Sequence, residues 1–344
     1  MTTAQETVRQ QPAASSRLHG IMTAYLQSKA LFTALELGVF VALEKEPAGV
    51  PELAGRLGLE PRPTLALLRA LEGLGLVERS GERYRNTEES SAFLVPGKEA
   101  YVGAFAEHQN LHFGNFARLP EAIRTNSSIT KRVLKQGYSN QGAAAGEGRE
   151  GTQRLIQGMR VSARLQADQL AAAVTLDGVE HVLDLAGGSG DYAIALAQHH
   201  PKLRVTTIDY PAVSELARAN VEEAGLSGRV EAQPGDVFSA PLPKCDAILL
   251  SHVLDGYGAE RAQHLIKRVH DALPAGGRLI IHAHIPSLST GVFPHLFGLI
   301  LLANTEEGEV RDADLLATWV GVAGFHDIVT QNISELSGMV TAVK

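Results

Sequence analysis

From Val174 onward, short apolar runs alternate with helical stretches, and this alternation limits the possible folds more than anything else in the chain. His181–Leu185, Val205–Asp209, Val230–Gln233, Ala247–Ser251 and Leu279–His284 read as strands. Helices are expected between them, such as Tyr192–Gln198 and Ala212–Ala224. A strand, a helix and another strand imply parallel pairing, because the crossover must carry the chain back to its starting end. The expected fold class is α/β, with a parallel sheet covered by helices on both faces over residues 171–344.

The first strand runs into Val182-Leu-Asp-Leu-Ala-Gly-Gly-Ser-Gly-Asp191. Gly187, Gly188 and Gly190 let the backbone approach a ligand where a Cβ would clash, just where a helix opens. The spacing differs from G-x-G-x-x-G, so a dinucleotide fingerprint is not met. Asp209 closes the next strand, where a carboxylate can accept both hydroxyls of a ribose. Gly235-Asp236-Val237-Phe238 follows the third strand and offers an acceptor carboxylate, Asp236, beside apolar walls for an adenine.

The N-terminal half has another rhythm. The first sixteen residues are polar, contain no apolar run of a secretory signal, and are expected to be a disordered tail. Ile21, Tyr25, Leu26, Ala30, Leu31, Leu35 and Val39 recur at helical spacing, with a break near Gly38. A face this wide calls for a partner surface. Two helices are then expected, one at Pro51 and one from Pro63 to about Leu74 with Leu65, Leu68, Leu71 and Leu74 inward. Val77–Arg85 reads as a hairpin turning at Ser80-Gly81. Helix, turn, helix, hairpin is a winged-helix pattern, expected over 17–100. Residues 101–170 read as a helical linker with a Gly/Ala-rich loop at 142–151.

Charge decides how to read the winged helix. The chain of 344 residues carries 31 Lys+Arg against 38 Asp+Glu, a net charge of −7. Around the hairpin, Arg79, Arg83 and Arg85 alternate with Glu78, Glu82, Glu88 and Glu89. DNA binding needs a cationic excess, so an interaction module is favoured over a DNA-binding regulator. The single cysteine, Cys245, excludes a disulfide framework and a Cys-rich zinc site. The longest apolar run, Phe297–Ala303, is too short to span a bilayer. A cytoplasmic protein with no membrane or nucleic-acid partner is expected.

The segments LDLAGGSGDYA, TIDYPAV, GDVF, AILLSHVL, ALPAGGRLIIH and VAGF occur in an order that resembles the S-adenosylmethionine-dependent O-methyltransferases with an N-terminal winged-helix dimerisation domain. These include plant caffeate-type and bacterial polyketide-tailoring enzymes. The resemblance covers nearly the whole chain. It implies a Rossmann-like catalytic domain, a homodimer, S-adenosylmethionine as cofactor, and a small aromatic or polyketide-like substrate. It implies cofactor contacts at Gly187 and Gly190 for the methionine end, Asp209 for ribose, and Asp236 with Phe238 for adenine. Asp184, Gly188, Tyr210 and Val237 lie in the same segments, and Ser251 and Met159 match cofactor-lining positions. It also implies a substrate face formed by His108, His112, Phe113 and Phe116 on one helix, with Phe297 and Asn304 opposite.

The catalytic segment departs from the family pattern. Family members carry a segment like HVLHDW; here it is His252-Val-Leu-Asp255-Gly-Tyr257. Asp255 holds the position of the usual catalytic histidine, and His282-Ala283-His284 stands where an acid is common. The second orienting carboxylate would be Glu309, Asp312 or Asp314. The candidate catalytic residues are Asp255, His252 and His282, with His284 on the substrate side. Methylation is expected, with Asp255 or a neighbouring histidine as base, or by proximity alone on an already acidic or amine nucleophile. The alternatives are non-methylating chemistry that uses the cofactor's sulfonium, or metal-assisted C-methylation if His252, Asp255, His282, His284 and His295 converge. No metal is assigned.

Overall fold

The computed structural model describes residues 12–98, 100–129, 160 and 163–344. Cα packing divides the chain into two compact units, Met1–Asn110 and Leu111–Lys344. Met159 and the Gly/Ala-rich loop lie outside the described residues.

In the first unit, α1 (Pro12–Glu36) starts inside the stretch expected to be a tail. Gly38 then breaks the helix in the left-handed region, and α2 (Val39–Lys45) follows. After β1 (Ala48–Gly49) come α3 (Val50–Leu57) and α4 (Pro61–Gly73). The α4 helix begins two residues before the expected Pro63, since Pro61 supplies the preset φ at its first turn. Strands β2 (Val77–Ser80) and β3 (Arg83–Asn86) pair through Ser80↔Arg83. The hairpin loop is therefore Gly81-Glu82 rather than Ser80-Gly81, and Gly81 takes the required positive φ of 62°. Helix α5 (Glu88–Phe93) is capped by Thr87 Oγ1, which accepts the Ser90 N–H at 3.2 Å. Phe40, Leu53, Leu68, Leu71 and Tyr84 form the core. Helix α6 (Gly103–Phe116) straddles the division between the units.

The second unit continues with α7 (Leu119–Thr125) and α8 (163–173) and then the main sheet. Its strands are β4 (His181–Leu185), β5 (Arg204–Asp209), β6 (Val230–Pro234), β7 (Ala247–Ser251), β8 (Arg278–Ala283), β9 (His326–Asn332) and β10 (Gly338–Val343). The order is β6-β5-β4-β7-β8-β10-β9. The first five strands run parallel, and β10 pairs antiparallel with both β8 and β9. Helices α9 (Asp191–His199), α10 (Pro211–Glu223) and α11 (Ala259–Ala272) cross over between strands. Helices α12 (Phe293–Asn304) and α13 (Ala313–Val322) follow β8. Hydrophobic clusters bury both faces of the sheet, one around Leu183, Ile248 and Leu265 and the other around Val182, Leu196 and Leu249.

The strand order reverses between β4 and β7, and ligands bind α/β sheets at the carboxyl ends beside such a reversal. Among the described residues no single helix is long and apolar enough to cross a membrane, although the bent pair α1–α2 passes the same test by length and composition.

Candidate active site

The carboxyl ends of β4, β5 and β6 hold most of the residues expected around a cofactor. Asp184 is fully buried on β4, and neither carboxylate oxygen has a hydrogen-bond partner among the described residues. Burial, then the Asp209 charge, pushes its pKa up to about 7. Beyond it the turn passes through Ala186, Gly188 and Gly190 at φ of 62°, 59° and 80°. A Cβ at Gly187 would fall on Thr207 Oγ1 and the Asp184 carboxylate, whereas one at Gly188 would meet open space. Asp209 accepts the Gly188 N–H at 2.9 Å and the Tyr210 N–H at 2.7 Å. Burial raises its pKa to about 6, with those two N–H groups opposing the rise. Asp236 accepts from Phe238 N at 2.7 Å and from the Tyr210 hydroxyl at 3.0 Å. Val237 packs into the core, while Phe238 stays partly exposed at 5.0 Å from the Tyr257 ring.

The ends of β7 and β8 gather the histidines. Ser251 shares a 3.0 Å hydrogen bond with His282 Nδ1. His252 follows in the left-handed region, at φ 54°, a strained conformation for a residue with a Cβ. Its ring centroid lies 5.0 Å from His282 and 4.5 Å from His284. Burial and their mutual repulsion hold the histidines below their ordinary basicity, His252 well below and His282 at about 3. His284 donates Nδ1–H to Leu336 O at 2.6 Å, and its ring meets Phe297 at 4.5 Å.

Asp255 sits in a single 3-10 turn, Leu254–Gly256, just past β7. It is 4% exposed, and its Oδ2 lies 4.0 Å from His252 Nδ1 with no hydrogen-bond partner among the described residues. Burial pushes its pKa up to about 7, opposed by the Arg311 charge. His252 Nε2 donates to Gln166 Oε1 of α8 at 3.2 Å, which leaves Nδ1 as the lone-pair side toward Asp255.

Other expected residues lie elsewhere. His295 is on the exposed side of α12, outside the histidine group. Among the described residues no three His, Cys, Asp or Glu side chains are placed to hold a metal. Glu309, Asp312 and Asp314 are all exposed, and Asp312 accepts the Ser287 N–H at 3.1 Å. The charged group that acts on Asp255 from that loop is Arg311 rather than any of the three expected carboxylates. Asn304 accepts from Asn115 Nδ2 at 2.7 Å. His108, His112, Phe113 and Phe116 are half-buried along α6. Gln166 was also missed, since nothing in a helical stretch of sequence marks which residue meets a distant histidine.

Comparison with known proteins decides the family. The O-methyltransferase domain model matches residues 116–326, and the O-methyltransferase dimerisation domain matches 20–96. The chain belongs to the O-methyltransferase family. It is an S-adenosylmethionine-dependent methyltransferase. It is 32% identical to a 3-hydroxy-5-methyl-1-naphthoate 3-O-methyltransferase of Streptomyces sahachiroi, covering 95% of this chain and 94% of that one. It is 34% identical to an N,N-dimethyltransferase of Streptomyces rimosus, over 79% of each. The fold matches that of human N-acetylserotonin methyltransferase in complex with S-adenosylmethionine, with a TM-score of 0.84, 22% identity and coverage of 98% and 99%. Such relatives favour methyl transfer over the non-methylating alternative.

Proposed function

We propose that this methyltransferase acts on a hydroxyl of a small aromatic, polyketide-like acceptor, and that Asp255 and His252 together take the acceptor's proton. The observation that carries this reading is the pair itself: two acceptor atoms, Asp255 Oδ2 and His252 Nδ1, facing each other across 4.0 Å. A hydroxyl oxygen about 2.8 Å from each would span that gap. An isolated histidine with so low a basicity would be a poor base. A carboxylate raised to about 7 is matched to neutral pH, so the proton passes to Asp255 while His252 Nδ1 holds the hydroxyl against it. The rings of His284, Phe293 and Phe297 beside them favour a flat acceptor. His282, with its Nε2 buried and unpartnered among the described residues, is assigned to orienting His252.

The residues also fit S-adenosylmethionine. Asp184 offers a buried carboxylate, unpartnered among the described residues and suited to an ammonium group. Gly187, Gly188 and Gly190 keep the turn open, and Asp209, fixed by two backbone N–H groups, would hold the ribose hydroxyls. Asp236 with Tyr210 and Phe238 would receive the adenine. Ser251 would line the floor. When bound, the cofactor supplies a methyl group already activated on a positive sulfonium. The chain's own part is to hold the acceptor in line and remove its proton.

The first unit reads as a winged-helix module that pairs two copies. Leu18, Ile21, Met22, Tyr25 and Leu26 of α1 are exposed together. The hairpin arginines are engaged: Arg79 with Glu72, Arg85 with Glu78, and Arg83 with Glu46 and Glu52. That pairing supports dimerisation over DNA binding.

The test is turnover on a panel of hydroxylated naphthoates and related phenols, with methylated product followed by mass. Asp255→Asn is expected to lower kcat by about 10²–10⁴-fold with cofactor affinity kept. Full turnover in that variant rules out Asp255 as part of the base.

A further inference from the structure

Arg311 lies on the loop before α13 and is 2% exposed. Its fork reaches back to the turn that carries Asp255. It donates to Leu254 O at 2.9 Å and to Tyr257 O at 2.6 Å, one residue before Asp255 and two after. A third bond, to Glu309 O at 3.1 Å, ties the guanidinium to its own loop, and the Trp319 ring lies 4.9 Å beneath it. The same loop grips the turn a second time: Glu309 N donates to Asp255 O at 2.9 Å. Little space separates the two, since a Cβ on Gly308 would come within 3.0 Å of Asp255 O.

We infer that Arg311 is a positioning residue for the reaction: it clamps the Leu254–Tyr257 turn so that Asp255 faces His252, and its fixed charge keeps the carboxylate available as an acceptor. The inference rests on the reading of Asp255 as part of the base. A guanidinium suits the task because one planar fork can bond two carbonyls at once and still lie over an indole. The buried Arg311 charge also favours the ionised form of the Asp255 carboxylate. The groups facing Asp255 are His252 from the end of β7, then His282 and His284 behind it, and Arg311 from the loop. Glu309 Oε2, 3.7 Å from the guanidinium, belongs to an exposed side chain and is screened by solvent.

The experiment compares Arg311→Gln, Arg311→Lys, Asp255→Asn and the Arg311→Lys/Asp255→Asn double variant. Cofactor affinity, acceptor KM, kcat and the pH profile of kcat are measured for each. Arg311→Gln is expected to lower kcat about 10–100-fold and move the acid limb upward by about one pH unit, with cofactor affinity and KM within about twofold. Arg311→Lys keeps the charge but not the fork, so kcat falls several-fold while the acid limb stays near its wild-type position. In the Asp255→Asn background the Lys substitution should cost little more, because contacts acting through one group are not additive. Wild-type kcat and acid limb in both single Arg311 variants overturn the inference. So does a loss in Arg311→Lys that persists in full in the Asp255→Asn background, which marks a purely structural role. If Arg311→Gln does not fold, Arg311→Lys and the double variant decide by the same criteria. Full turnover by Asp255→Asn instead overturns the base assignment, and the Arg311 inference with it.

Discussion

Asp209 is a half-buried and Asp255 a buried carboxylate at the carboxyl edge of one sheet, and their surroundings are opposite. At the β5–β6 edge both oxygens of Asp209 accept backbone N–H groups, at 2.9 and 2.7 Å. At the β7–β8 edge Asp255 Oδ2 has no such partner among the described residues. Asp209 is held as an acceptor whether or not a ligand is present. Asp255 stays costly to ionise, because desolvation disfavours the charged form. The comparison teaches that a carboxylate which only accepts hydrogen bonds can be fixed in advance, as Asp209 is, while proton transfer asks for one whose pKa lies near the working pH.

Variants should separate the two edges. The largest effect is expected from Asp255→Asn, with kcat down about 10²–10⁴-fold and cofactor affinity by isothermal calorimetry unchanged. Loss of affinity there would break the division. Asp209→Ala should do the reverse, weakening cofactor binding about 100-fold because charge-assisted hydrogen bonds contribute about 1.5–3 kcal/mol each. Wild-type affinity in that variant would remove Asp209 from the ribose site.

A pH series should sharpen the comparison. The base must be deprotonated, so kcat should fall about tenfold per unit as pH drops below about 7, the value to which Asp255 is raised. Cofactor binding should weaken in two stages, below about 7 as Asp184 takes up a proton and again below about 6 as Asp209 does. An acid limb of kcat at saturating cofactor that is unchanged in Asp255→Asn would assign that limb to another group. Gly188→Ala should have a smaller effect: with open space for the Cβ, the cost is the left-handed φ alone, about 1–2 kcal/mol in a melt. Ile21→Glu with Met22→Glu should shift the protein from dimer to monomer in size-exclusion chromatography and leave cofactor affinity nearly unchanged. A dimer that persists would place the pairing surface elsewhere.

Most of the sheet was legible. His181–Leu185 and Ala247–Ser251 emerge with the bounds read from their apolar runs, because strands buried on both faces are apolar throughout. The hairpin β9–β10 was not read as strands. Strand β9 is almost wholly exposed, so it carries no apolar run, and its pairing is set by β10 rather than by its own residues. The Gly-rich turn was legible because only glycine tolerates such backbone angles cheaply. Arg311 was not, because a polar loop says nothing about which side chain turns inward. His295 was read with the other histidines but faces outward, since helical phase depends on how α12 docks.

The sequence by itself therefore determined the parallel α/β core, the glycine turn and the carboxylates at the ends of β4 and β5. Each depends on local backbone freedom or on burial patterns that repeat with the period of the element. Only the tertiary structure decided that His282 and His284 gather around His252, and that a guanidinium rather than a carboxylate supports the turn of Asp255. Those pairings join residues far apart in the chain, and their cost and benefit arise from shared burial, which no local pattern records.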